Sequence, residues 1–238
     1  MAESKWADPF KEIAPYLMLI ETPSARGTGA IIQPPPGSGN MCVATAWHVI
    51  EDAEEWHQPI KLVHFPSEKE IFLESSARNV SYTTERDQAI IQFSAKEIRS
   101  PTTNLPLFPI NTRLVEGAEI GWLGYPAVAP NTLCFFHGHI SAWLQSDEAY
   151  LVDGVAINGV SGGPAFIQDN DGKTVIVGLV TEYRPNIARG SALPGVSLIR
   201  AINPLVRHYA SIQKQIEDAK VQSIPKENKD TGLKTSLS

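Results

Sequence analysis

The run Asn158-Gly159-Val160-Ser161-Gly162-Gly163-Pro164 constrains this chain more than any other stretch. It sets one serine among glycines, between two β-like apolar stretches, so the backbone must bend there. Small neighbours leave room for a carbonyl compound to approach the hydroxyl. In such a bend the N–H groups of Gly159 and Ser161 can point at one spot and hold a developing oxyanion. That combination is what a nucleophilic serine needs.

Two upstream runs supply its partners. Thr45-Ala46-Trp47-His48 offers a base, and Arg86-Asp87-Gln88-Ala89-Ile90-Ile91 offers an acid, in the chain order His, Asp, Ser. At these residues the chain resembles the chymotrypsin-like (trypsin-like) serine peptidases. It looks closest to the HtrA-like branch and its intracellular relatives, over roughly residues 15 to 205. The resemblance implies Ser161 as nucleophile, His48 as general base and Asp87 as the carboxylate that orients His48. Gly159 and Ser161 form the oxyanion hole. Glu85 and Asp52 compete for the acidic role, and Asp87 is preferred because it directly precedes the strand-like 88–93. The implied activity is that of a serine endopeptidase working through an acyl-enzyme, with no cofactor and no metal.

Two residues depart from the pattern of the secreted enzymes. Trp47 stands where they carry a small residue. Val160 replaces the aspartate that pairs with a freshly cut N-terminus, so that activation route is closed and loop ordering is the expected control. The resemblance also sketches a specificity pocket, with Val155 at its floor and Thr181, Glu182, Tyr183 and Gly195 as its walls. With no acid at the floor, a basic side chain would be buried without a counter-charge. Cleavage after small or medium apolar residues is expected, with Tyr183 narrowing the pocket.

Composition excludes some partners. A net charge of −6 and a pI near 5.5 argue against a nucleic-acid or an anionic-membrane surface. A protein or peptide substrate is expected, with an activating partner or oligomer left open. The two cysteines, Cys42 and Cys134, read as reduced thiols, which favours a reducing compartment. Residues 1–10 hold no apolar signal core, and no stretch approaches membrane-spanning length, so the expected location is cytoplasmic.

The chain reads as all-β. Strand-like runs fall at 16–21, 29–33, 41–45, 60–65, 79–83 and 89–93, then at 119–123, 133–144, 150–152, 165–168, 174–182 and 195–199. A Pro- and Asn-containing connection separates the two groups, which fits two six-stranded antiparallel β-barrels of the chymotrypsin-like kind with a C-terminal helix. The expected division is an N-terminal extension (1–14), a first barrel (15–105), a second barrel (106–200), a helix (201–220) and a disordered tail (221–238), one peptidase domain in all. Too few residues follow the helix for a PDZ-like module. The tail and Trp6, Phe10 and Ile13, lying outside the barrels, suggest partner contacts. His137-Gly138-His139 reads as ordinary strand histidines, since no third metal ligand lies nearby.

Two other readings compete. An α/β-hydrolase elbow needs a helix after its serine, whereas residues 165–172 read as a strand and hairpin turn. The stronger alternative is a latent or inactive trypsin-like module that binds peptides or partner proteins, since loop geometry separates a competent site from a dormant one.

Overall fold

Short aliphatic and β-branched runs pair into two antiparallel sheets in a computed structural model of the chain, which describes residues 4–32, 40–65, 67–94, 98, 101, 103–188 and 191–222. In chain order the elements are α1 (Ala7–Ile13), β1 (Leu17–Glu21), β2 (Arg26–Ile32), β3 (Met41–Thr45), α2 (Glu51–Glu55), β4 (Ile60–His64), β5 (Lys69–Leu73), β6 (Arg78–Thr83) and β7 (Gln88–Phe93). The second half adds β8 (Glu119–Gly124), β9 (Cys134–Leu144), β10 (Ala149–Val152), β11 (Pro164–Gln168), β12 (Thr174–Ala188), β13 (Ser191–Ala201) and α3 (Ile202–Gln222). The C-terminal tail beyond 222 lies outside the described residues.

The second half closes into a six-stranded barrel, in the order β10-β13-β12-β11-β8-β9. The first half is a curled seven-stranded sheet, in the order β5-β4-β1-β2-β3-β7-β6. It holds one strand more than the sequence suggested. The addition is β5, an edge strand whose residues 69–72 are exposed or half-exposed and whose Leu73 alone is buried. Together the two sheets make the chymotrypsin-like fold.

The halves share a core. Ile20, Val43 and Ile90 of the first sheet cluster with Leu123 and Phe166 of the barrel and Leu205 of α3. A second cluster, including Trp122, Tyr150, Val180 and Ile199, fills the barrel itself. The N-terminal segment belongs to this core rather than to a partner surface. Trp6, Pro9, Phe10 and Ile13 recur at helical spacing on one face of α1 and its entry. Trp6 and Ile13 are buried, Phe10 packs against the same cluster, and the Trp6 ring lies 5.4 Å from Phe135 and 5.9 Å from Phe166. The expected partner contacts at these residues are therefore corrected: burying such side chains is worth about 1.5–3 kcal/mol each, and the barrel wall takes them.

Buried Arg78 fastens α2 to the sheet. Its guanidinium donates to Glu54 Oε1 at 2.5 Å and to the carbonyls of Leu73 (2.7 Å), Ala53 (3.1 Å) and Gln58 (2.9 Å). Across the sheet, buried Tyr209 of α3 places its hydroxyl 3.1 Å from Cys42 Sγ. Both cysteines are free. Among the described residues no helix is long and apolar enough to cross a membrane.

Candidate active site

Register brings the first two candidate residues together. Thr45 at the end of β3 pairs with Ala89 near the start of β7, so the turn after β3 and the turn before β7 are neighbours. His48 lies on a 3-10 turn, Trp47–Val49, after β3. Asp87 precedes β7 in the left-handed region (φ 49°, ψ 48°), which aspartate tolerates better than most residues. Three hydrogen bonds join the turns. The Trp47 N–H donates to the Asp87 carbonyl at 3.2 Å, the His48 N–H donates to Asp87 Oδ1 at 2.8 Å, and His48 Nδ1 lies 2.7 Å from Asp87 Oδ2. The Asp87 hydrogen bond raises the His48 pKa above its ordinary value, against an opposing effect of burial. Trp47, the departure noted in sequence, is buried and stacks on Tyr82 with ring centroids 3.8 Å apart.

The bend holding Ser161 joins β10 to β11. Gly159 (φ 92°) and Gly162 (φ 83°) both occupy the left-handed side of the map. A Cβ at 159 would lie 2.3 Å from the Tyr125 carbonyl oxygen, and one at 162 would lie 2.1 Å from that of Thr28. Glycine is therefore required at both positions on two counts, conformation and space.

Each peptide plane of the bend is held through its carbonyl. The Asn158 oxygen accepts from Ala127 N–H (2.6 Å), the Gly159 oxygen from Thr28 Oγ1 (2.8 Å), the Val160 oxygen from Gly163 N–H (2.9 Å), and the Ser161 oxygen from Thr28 N–H (2.8 Å). In a trans peptide the N–H points opposite the C=O. Among the described residues the N–H groups of Gly159 and Ser161 donate to no protein acceptor. Two unspent donors, one on either side of Val160, match what an oxyanion requires. Val160 itself is wholly buried in the barrel core, so it packs rather than pairs.

His48, Asp87 and Ser161 line one cleft of ≈ 420 Å³ together with Asn158, Thr181, Glu182, Tyr183, Pro185 and Arg200. Thr181 is buried, and its hydroxyl has no hydrogen-bond partner among the described residues. Glu182 is exposed, and its carboxylate pairs with Arg184 at 3.3 Å. The Tyr183 hydroxyl accepts the Gly195 N–H at 2.6 Å, a bond that spans β12 and β13. Gly195 is not among the residues that line this cleft and touches it only through Tyr183. A Cβ there would lie 1.9 Å from the Arg184 carbonyl oxygen, so the strands need a glycine to approach so closely.

Val155 departs from the sequence expectation. It is 50% exposed and is not among the residues that line this cleft. The loop 153–158 carries its side chain to solvent, a matter of loop path that residue type does not encode. Asn158, Pro185 and Arg200 were missed. Asn158 was reachable, since it opens the glycine run, but Arg200 carries no signal in its surroundings.

Among the described residues no group of three or more His, Cys, Asp or Glu side chains is placed to hold a metal ion. His137 stacks on Phe135 and Trp6, and His139 Nδ1 lies 3.5 Å from Asp153 Oδ2, so the pair serves packing and a surface contact.

The family described as trypsin-like peptidase domain matches residues 27–179. No curated protein matches by sequence. Among solved structures, Deg5 is similar at a TM-score of 0.63 and 18% identity, over 85% of this chain and 91% of that one. A serine endoprotease from Yersinia pestis is similar at 0.61 and 16%, over 94% and 69%. An inactive form of Rv3671c from M. tuberculosis H37Rv, carrying a serine-to-alanine mutation, is similar at 0.57 and 19%, over 86% and 90%. At these identities the likeness is one of fold.

Proposed function

The chain belongs to the trypsin-like peptidase family, and from that premise we propose that it is a serine endopeptidase with a His48-Asp87-Ser161 triad. One observation carries the reading: the hydrogen-bonded His48–Asp87 pair and Ser161 line a single cleft beside two unspent amide donors. In the proposed cycle Ser161 Oγ attacks the scissile carbonyl while His48 Nε2 takes its proton. Asp87 holds the proton on Nδ1 and stabilises the imidazolium. The carbonyl oxygen, now negative, receives the N–H groups of Gly159 and Ser161. His48 then returns the proton to the leaving amine, and water releases the acyl group by the same steps reversed.

The substrate is a protein or peptide cut after a small or medium apolar residue. Support comes from Tyr183, whose ring lines the cleft and whose hydroxyl is committed to Gly195. The free cysteines support a cytoplasmic location. The test is covalent labelling with a fluorophosphonate, read by intact mass, beside Ser161→Ala. A single adduct that the variant loses is expected. A folded wild-type protein that takes no label, alone or with candidate partners, would replace this reading with that of a peptide-binding module.

A further inference from the structure

We propose that Thr28 is a positioning residue for the oxyanion-holding bend, acting through its side-chain hydroxyl; the proposal rests on the peptidase reading above. Thr28 lies on β2, in the first sheet, and is wholly buried. Its Oγ1 donates to the Gly159 carbonyl at 2.8 Å and accepts the Tyr125 N–H at 3.0 Å. A hydroxyl has one hydrogen, a carbonyl can only accept and an amide N–H can only donate. The orientation of this hydroxyl is therefore single-valued. The backbone of Thr28 is committed too. Its N–H donates to the Ser161 carbonyl at 2.8 Å, and its own carbonyl accepts Thr45 Oγ1 at 2.8 Å. Thr45 ends the strand that leads to His48, so one threonine joins the histidine side of the cleft to the serine side.

Gly159 explains why such a fastening is needed. Glycine visits positive and negative φ almost equally, so its own sterics do not decide where its N–H points. The direction is imposed through the carbonyls of the two flanking peptides. Thr28 Oγ1 holds one of them directly. The other, that of Asn158, is held by Ala127 N–H, and Ala127 follows closely on Tyr125, whose N–H Thr28 fixes. One restraint is thus the Thr28 hydroxyl itself and the other lies two residues from the amide it fixes; the Val160 N–H, donating to the Ile157 carbonyl at 3.0 Å, holds the far side of the Gly159–Val160 peptide. Without it, the Gly159 carbonyl and the Tyr125 N–H are buried and unpaired. They regain partners only by rotating, and turning the Gly159–Val160 peptide, which links the two peptides that carry the donor N–H groups, shifts the Gly159 and Ser161 N–H groups relative to each other.

The test compares Thr28→Val, which keeps the branched shape, with Thr28→Ser, which keeps the hydroxyl. Valine is expected to lower kcat by about tenfold or more, towards the ~10²–10³ lost when an oxyanion donor is removed, with KM nearly unchanged. Affinity for a peptide aldehyde, which forms a tetrahedral adduct, falls in parallel, and serine restores both. Wild-type kcat in the valine variant would overturn the proposal, as would equal impairment of both variants in proportion to lost thermal stability. A wild-type protein that takes no fluorophosphonate defeats the peptidase reading instead. Amide exchange at Tyr125 then decides for Thr28: faster in Val and restored in Ser supports it, and unchanged exchange in Val overturns it.

Discussion

Replacing Asp87 by asparagine isolates what the carboxylate does, because the structure dictates how the amide must sit. Asp87 faces two donors, the His48 backbone N–H at Oδ1 (2.8 Å) and the imidazole Nδ1 at Oδ2 (2.7 Å). Asparagine has one oxygen to give. The backbone N–H can only donate, so it claims that oxygen, and the amide NH₂ turns to Nδ1. Nδ1 must then accept, the ring proton moves to Nε2, and the histidine can no longer take a proton from Ser161. The opposite flip restores the useful tautomer but sets two donors face to face, at a cost of about 1–3 kcal/mol. That alone removes roughly one to two decades of rate at 1.36 kcal/mol per tenfold. Exchanging a charged acceptor for a neutral one costs about 1 kcal/mol more. The expected fall in kcat is ~10²–10⁴, the upper end being the loss that the same change causes in the best-studied triad. The pH profile moves as well. Asp87 raises the His48 pKa above its ordinary 6.5, and the protonated ring cannot act as a base. Wild-type kcat/KM should therefore rise with pH along a limb centred above 6.5, and that limb should shift down in the variant. Because the folded-state pKa is raised, the pair's contribution to stability is complete below about 6.5 and fades as pH rises through the raised value. The variant should thus lose more thermal stability in mild acid than in mild base. Hydrolysis of a fluorogenic peptide across neutral pH, with melting curves at the same points, reads all three effects. A rate within tenfold of wild type, or an unmoved acidic limb, would refute the reasoning.

Three further outcomes follow from single contacts. Gly162→Ala places a Cβ 2.1 Å from the Thr28 carbonyl oxygen and 2.3 Å from Thr45 Oγ1 at a φ of 83°; the left-handed penalty of about 1–2 kcal/mol and overpacking of about 1–3 kcal/mol should lower the urea midpoint clearly, and an unchanged midpoint would refute the steric argument. Arg78→Met leaves the Glu54 carboxylate and the Leu73, Ala53 and Gln58 carbonyls without their shared donor; a loss of about 3–5 kcal/mol is expected, and less than about 1 kcal/mol in urea unfolding would show the guanidinium to be dispensable. Tyr183→Ala removes the ring held by Gly195, so peptide-library profiling should show larger apolar residues gaining on small ones at the cleaved position, whereas an unchanged ranking would take Tyr183 out of specificity.

Much of the architecture was legible because strands buried on both faces read as short apolar-rich runs bounded by turn signals. Residues 41–45 and 88–93 are buried along their length and mostly apolar, and they stand out. β5 did not, because Lys69-Glu70-Ile71-Phe72 is an edge with little to bury. β12 continues past Glu182 through Tyr183-Arg184-Pro185, where composition suggests a loop; its pairing with β13 keeps it extended. The short flanking runs singled out His48, Asp87 and Ser161, and the fold brings these three to one cleft. The misplacement of Val155 shows where that ended, since a loop's path depends on what it meets.

What the sequence alone determined was local: the glycine bend around Ser161, the residue types of the proposed base and acid and their order, and the strands that carry them. These follow from steric rules acting over a few residues. The tertiary structure decided what meets across the chain. The Thr45–Ala89 register sets His48 beside Asp87, Trp6 and Ile13 are drawn into the core, and the Thr28 hydroxyl reaches a carbonyl 131 residues away. Such contacts are selected by the packing of the whole chain against its conformational entropy, so no short stretch of sequence contains them.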